Sequence, residues 1–170
     1  EKKALKYTTY KINTEALPEP VLLGLEGANQ VTIQDEKKYE HWIKTNVFAQ
    51  KQEGFFGVYV KLPLGNLTSA RSREFADIVD RFAATELRIT VNQGYLIRFV
   101  RSEALKPLFS ALDKIQLAEP GFDSVADITA CPGTDTCNLG ISDSTAISLV
   151  LEKVVREEFP ELIHNQDIKI

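Results

Sequence analysis

From residue 55 the chain alternates. Phe56, Val58, Val60 and Leu62 stand against Phe55, Gly57, Tyr59 and Lys61 until Pro63, which predicts a strand. After a turn at Gly65 and Asn66, Thr68 or Ser69 can cap a helix running to about residue 84. In it Phe75, Ile78, Val79, Phe82 and Ala83 fall on one stripe. The stretch LRITVNQGYLIRFV then predicts a hairpin, with Leu87, Ile89 and Val91 on one face, Arg88, Thr90 and Asn92 on the other, and Gln93 and Gly94 near the turn. Ser102 can cap a second helix, in which Leu105, Leu108, Phe109 and Leu112 recur with the helical period. A loop at Pro120 and Gly121 follows, and 125–129 reads as a short fourth strand.

The order strand, helix, strand, strand, helix, strand is that of a ferredoxin-like half-domain of α+β class. The flanks are less regular. Residues 1–50 form a lead-in with Pro18, Pro20 and a turn region at Gly24 and Gly27, then a short helix at about 36–45 with Tyr39, Trp42 and Ile43 at helical spacing. Trp42 is expected in the core and His41 at the surface. Beyond the half-domain, Ile147, Val150, Leu151, Val154 and Val155 mark a third amphipathic helix, capped by Ser142 or Asp143 and ending before Pro160.

With 170 residues, 44% of them hydrophobic, the chain can bury one good core. A net charge of −4 with no basic run argues against nucleic acid and against anionic membrane as partners. No stretch approaches the roughly 20 consecutive apolar residues of a membrane span, and no charged-then-apolar leader opens the chain, so a cytoplasmic location is expected. Methionine is absent, including at position 1, and the final NQDIKI reads as the opening of a strand. Both features predict a processed or excised piece of a longer protein.

Two regions carry candidate chemistry. The polar side of the hairpin offers Arg88, Thr90, Asn92 and Arg98, with Lys61 beside them, either as an anion-docking face or as a solvated sheet surface with cross-strand polar pairs. The second region is TACPGTDTCNLG, which holds both cysteines of the chain, Cys131 and Cys137, around turn-forming residues that lead into a helix. Four readings compete: a short-loop disulfide, disfavoured in the cytosol; a zinc knuckle, which needs closer spacing and a second pair of ligands; two buried structural cysteines; or half of an iron–sulfur site, whose thiolates sit on loops with hydrogen bonds to sulfur.

Taken together, QKQEGFFGVYVKLPLG, LRITVNQGYLIRFV and ITACPGTDTCNLGISDS resemble the siroheme-containing nitrite and sulfite reductases, specifically the second of their two related halves. The likeness spans roughly residues 40–170. It implies a lead-in over 1–50, a ferredoxin-like half-domain over 51–129, and the first part of a 4Fe-4S/siroheme domain over 130–170. By the same resemblance Cys131 and Cys137 are the first two cluster ligands. Asn92 and Gln93 lie against the siroheme, and Arg88 and Thr90 contact or support it, since arginine and amide donors suit its many carboxylates.

The implied reaction is the six-electron reduction of nitrite to ammonia or of sulfite to sulfide, with electrons fed through the cluster from ferredoxin or a flavoprotein. The implied partners are the rest of the same reductase chain, namely a first half-repeat and a C-x3-C segment with the remaining ligands, and a small inorganic anion as substrate. No catalytic residue is assigned here. Siroheme and cluster are expected in the full-length protein and not in this chain alone, which would then be inactive. The alternatives are a non-catalytic ferredoxin-like binding or assembly module with structural cysteines, and an electron carrier sharing one cluster between two chains.

Overall fold

The computed structural model describes residues 31–83, 87–163 and 165–170. The expected turn region at 18–27 lies outside the described residues. The first helix, α1 (Glu36–Asn46), opens where Asp35 accepts a hydrogen bond from the Lys38 N–H at 2.9 Å. It buries Trp42 completely, with the indole edge-on to Phe109 and stacked on Tyr39. His41 is exposed.

α1 runs directly into β1 (Val47–Ala49), which a turn connects to β2 (Phe55–Val60). Next come α2 (Ser69–Phe82), β3 (Leu87–Ile89), β4 (Tyr95–Arg101) and α3 (Leu105–Lys114). The sheet is antiparallel with spatial order β1-β2-β4-β3. Registers Val58↔Ile97 and Val60↔Tyr95 place these side chains on one face. That face meets Phe75, Val79 and Phe82 of α2 and Leu105, Leu108, Phe109 and Leu112 of α3 in the main core. Thr68 caps α2, as its spacing predicts.

The α+β expectation holds, with one change of parts. Residues 125–129 form turns and not a strand. Their backbone is spent elsewhere: the Val125 N–H donates to Asn165 O at 2.9 Å, the Asp127 N–H to Ser124 O at 2.9 Å, and Ala126 O accepts from the Lys61 ammonium at 2.5 Å. The position beside β2 that a fourth strand would take belongs to β1. Residues 36–49, placed in the lead-in by sequence pattern, therefore contribute a helix and an edge strand to the same core.

The second sheet face is not left open. Tyr59 lies flat on Phe122, with ring centroids 4.0 Å apart. Lys61, only 3% exposed, reaches Glu152 at 2.7 Å on α4 (Ser144–Glu158). Arg156 bonds the same carboxylate and also reaches Glu119, both at 2.9 Å. This polar seam turns Ser148, Glu152 and Val155 inward and leaves Ile147 and Val150 53% and 60% exposed, so most of the expected apolar stripe of α4 points outward. Val125, Ala126 and Val155 make a second small core with Leu162 and Ile163.

Replacing Trp42 with alanine removes a fully buried ring from the main core and is expected to cost about 3–5 kcal/mol in denaturant unfolding; a loss under about 1 kcal/mol would contradict the placement of α1. Burial pushes the Glu152 carboxyl up, but its hydrogen bonds and charge contacts with Lys61 and Arg156 outweigh that and hold it below the usual glutamate range. A depressed carboxylate stabilises the fold above the unfolded-state value of about 4.3 and loses that contribution as pH falls through the folded value. Glu152→Gln is therefore expected to be less stable than the parent at pH 7 by about 2 kcal/mol, below the range for a fully buried pair because Glu152 retains contact with water. The gap should shrink as pH falls below that unfolded-state value and through the lower folded one. A gap independent of pH would refute the assignment.

Candidate functional site

The cysteine loop begins where the half-domain ends. At the tip of the β3–β4 hairpin the Gln93 backbone is left-handed, with φ of 60°. Its side-chain amide makes a two-way contact with Ala130: Nε2 donates to Ala130 O at 2.8 Å, and the Ala130 N–H donates to Oε1 at 3.4 Å. Asn92 beside it donates to Asp123 at 3.1 Å and to Asp127 at 3.4 Å. Thr90 Oγ1 accepts from the Gly94 N–H at 3.1 Å and closes the turn. The hairpin tip thus grips the chain segment that leads to Cys131.

From Cys131 the loop folds on itself. The Cys137 N–H donates to Gly133 O at 3.0 Å, the Gly140 N–H to Cys137 O at 2.9 Å, and the Thr134 N–H to Ser142 O at 3.1 Å. Gly133 has φ of +55°, and a Cβ there would lie 2.2 Å from Ser144 Oγ and 2.5 Å from Ser142 O. A Cβ on Gly140 would lie 2.8 Å from the Gly133 carbonyl. Two glycines in backbone contact therefore set the shape of the loop.

The loop ends at the N-terminus of α4, where Asp143 accepts from the Ala146 N–H at 2.9 Å and from Thr145 Oγ1 at 2.8 Å. These bonds hold the Asp143 carboxyl below its ordinary range. Ser144 Oγ donates to Cys131 O at 2.9 Å and lies 3.4 Å from Cys131 Sγ. The Ser144 hydroxyl and the Gly133 N–H hold the Cys131 thiol below the ordinary thiol range. Both cysteines are free and exposed in this chain.

The site residues expected from sequence separate into groups. Gln93 and Cys131 are brought together through Ala130, and Cys137 is held within the same loop. Arg88 stands exposed on β3, opposite Leu96 in register. Lys61 is not beside the hairpin's open face; it is buried under Ala126 and α4 because its ammonium has a carboxylate and a carbonyl to meet there. Sequence pattern missed Ser144, Asp127 and Ser124. Burial pushes the Asp127 carboxyl up, against the pull of the Asp123 N–H and the Lys61 charge. Burial also raises Asp123, but its bonds to Lys169 and Asn92 prevail and leave it low.

Two exposed thiols on a turn-rich loop, with N–H and hydroxyl donors at one sulfur, fit an iron–sulfur cluster in kind. They supply two ligands, and among the described residues no group of three or more His, Cys, Asp or Glu is assembled to hold a metal. The fit to siroheme is narrower. Asn92 donates to two carboxylates, and Gln93 and Thr90 each make hydrogen bonds within the fold. Arg88, exposed on β3, is of a kind that suits a carboxylate, and the Gln93 amide and the Thr90 hydroxyl carry further hydrogens beyond the bonds they make here.

Fold and site together define a ferredoxin-like half-domain that presents a paired-thiol loop. Residues 48–115 match the family described as the nitrite/sulfite reductase ferredoxin-like half domain. Ferredoxin–nitrite reductase of Zea mays is 29% identical over 124 residues, covering 72% of this chain and 22% of that protein. The Spinacia oleracea counterpart is 30% identical over 143 residues, covering 82% and 23%. An assimilatory-type sulfite reductase of Nitratidesulfovibrio vulgaris is 24% identical over 112 residues, covering 65% and 51%.

Residues 48–115 carry the nitrite/sulfite reductase ferredoxin-like half domain, and the chain spans about a fifth of the length of the plant nitrite reductases it resembles. A crystal structure of dissimilatory sulfite reductase I shares the fold, with a TM-score of 0.53 at 13% identity, over 68% of this chain and 27% of that one. No helix among the described residues is long and apolar enough to cross a membrane.

Gly133→Ala forces a side chain into the left-handed region against Ser144 and is expected to cost roughly 1–3 kcal/mol, with faster amide exchange confined to 131–143. Gly54→Ala, also at positive φ but with no atom within 4 Å of the added carbon, should cost only about 1 kcal/mol. Equal costs would remove the backbone contact as the reason for Gly133.

Proposed function

We propose that this chain supplies the second ferredoxin-like half-domain and two cluster ligands of a siroheme and 4Fe-4S dependent reductase. That enzyme reduces nitrite to ammonia or sulfite to sulfide with six electrons. Residues 51–129 serve as the half-domain, with α1 and β1 added from the lead-in, and 130–170 begin the cluster domain. Cys131 and Cys137 are the ligands. In this reading Asn92 and Gln93 lie against the siroheme, Arg88 and Thr90 contact or support it, and Gln93 also holds the cysteine loop through Ala130. Siroheme and cluster, when bound, supply the electron transfer and the site where the anion binds.

The observation that carries this reading is the pair of exposed thiols on one glycine-shaped loop, fixed between the hairpin tip and the N-terminus of α4. The rest of the reductase, a first half-repeat and a C-x3-C segment, completes the site, so the chain alone is inactive. Ferredoxin is the favoured donor, because the relatives from Zea mays and Haloferax mediterranei are named as ferredoxin-dependent nitrite reductases. A cytoplasmic setting belongs to the same reading.

The test is the visible spectrum, with iron and acid-labile sulfide, of the whole reductase containing this chain, purified without oxygen. Siroheme and cluster bands are expected in the parent, and loss of the cluster bands in Cys131→Ser and in Cys137→Ser. A colourless parent would favour a non-catalytic binding module.

A further inference from the structure

Among the described residues, Cys131 is anchored from outside its loop, whereas Cys137 is bonded within it. Gln93 holds Ala130 by both ends of its amide, and Ser144 holds the next residue by its carbonyl while standing 3.4 Å from its sulfur. The two anchors come from separate elements, the β3–β4 turn and the first residue of α4. Neither is needed where it stands for local structure. Thr90 closes the turn through the Gly94 N–H, and Asp143 caps α4 through the Ala146 N–H. Gln93 even adopts a left-handed backbone that glycine would accept more easily. Both side chains are therefore spent on the position of Cys131.

We propose that Gln93 and Ser144 are positioning residues for Cys131, fixing its thiol for a soft, thiolate-binding metal centre. The proposal rests on the reading of Cys131 and Cys137 as metal ligands. Groups that orient a metal ligand without touching the metal typically govern affinity about as strongly as 10–100-fold. The Ser144 hydroxyl carries a single hydrogen, which it gives to the Cys131 carbonyl here; the same hydroxyl can turn it to the sulfur once the thiol is ionised. Gln93 acts one residue earlier, through the peptide unit.

The 170-residue chain is titrated with cadmium ion alone, followed by thiolate-to-cadmium charge-transfer absorption. The parent is expected to bind, and Cys131→Ser and Cys137→Ser to lose the band. Gln93→Gly keeps the left-handed turn, and Ser144→Ala keeps the Asp143 cap, so both should unfold cooperatively as the parent does. Each should bind cadmium about tenfold more weakly. Iodoacetamide labelling of the metal-free chain should change in rate at Cys131 and stay constant at Cys137, a selectivity that general loosening of the fold would not give. Parent-like affinity in Gln93→Gly and Ser144→Ala, with binding lost in Cys131→Ser, overturns the positioning role and leaves the thiol site intact. Undiminished binding in Cys131→Ser, or none in the parent, overturns the thiol site and the positioning with it.

Discussion

The second face of the sheet is covered by an irregular segment, and the hydrogen bonds of that segment govern the rest of the molecule. Gly121, Phe122 and Ser124–Asp127 are buried yet belong to no strand or helix, so their peptide groups have no ladder to join. A buried peptide group without a partner costs about 1–3 kcal/mol. Side chains fill the gap: the Gly121 N–H donates to Thr45 Oγ1 at 2.7 Å, Asn46 Nδ2 donates to Glu119 O at 3.1 Å, and Gln166 donates to Phe122 O at 2.9 Å. Among the described residues the buried polar side chains are Thr45, Asn46, Lys61, Ser124, Asp127 and Ser148, and all but Ser148 bond within or to this segment.

Lys61 is the most demanding of these. An ammonium with 3% exposure is tolerated only when paired, because desolvation costs several kcal/mol. Its two acceptors lie on different pieces, the Ala126 carbonyl and the Glu152 carboxylate, so one charge ties β2 to the irregular segment and to α4 at once. α4 is thereby turned with its polar side inward, and its N-terminus is brought to the cysteine loop. The seam that satisfies a buried charge also places the site.

How far the sequence foretold this depends on the range of the forces involved. β2, β4, α2 and α3 were legible because each buries one face, and the period of Val58 and Val60 or of Phe75, Val79 and Phe82 records it directly. β1 has only Val47–Ala49 to show, too short for a period. Residues 125–129 misled because VADIT is rich in β-branched residues, while neighbouring Ser124 and the sequence-distant Lys61 and Asn165 take its backbone bonds. The cysteine spacing was legible as a motif. The Gln93–Ala130 contact was not, since an amide that bonds a peptide 37 positions away leaves no local signature.

The two thiols are held by constraints of different reach, and this matters for any centre they bind. Cys137 is fixed by short-range bonds to Gly133 and Gly140, so it moves with its loop. Cys131 is fixed by the hairpin tip on one side and by α4 on the other. Arg88 stands on β3, in the same hairpin whose tip carries Gln93. The hairpin tip is bonded directly to the residue before Cys131 and reaches Cys137 only through the rest of the loop. The hairpin thus carries an exposed arginine on one strand and a support for the cysteine loop at its tip, and its polar residues divide between solvent and fold by the direction in which their side chains point.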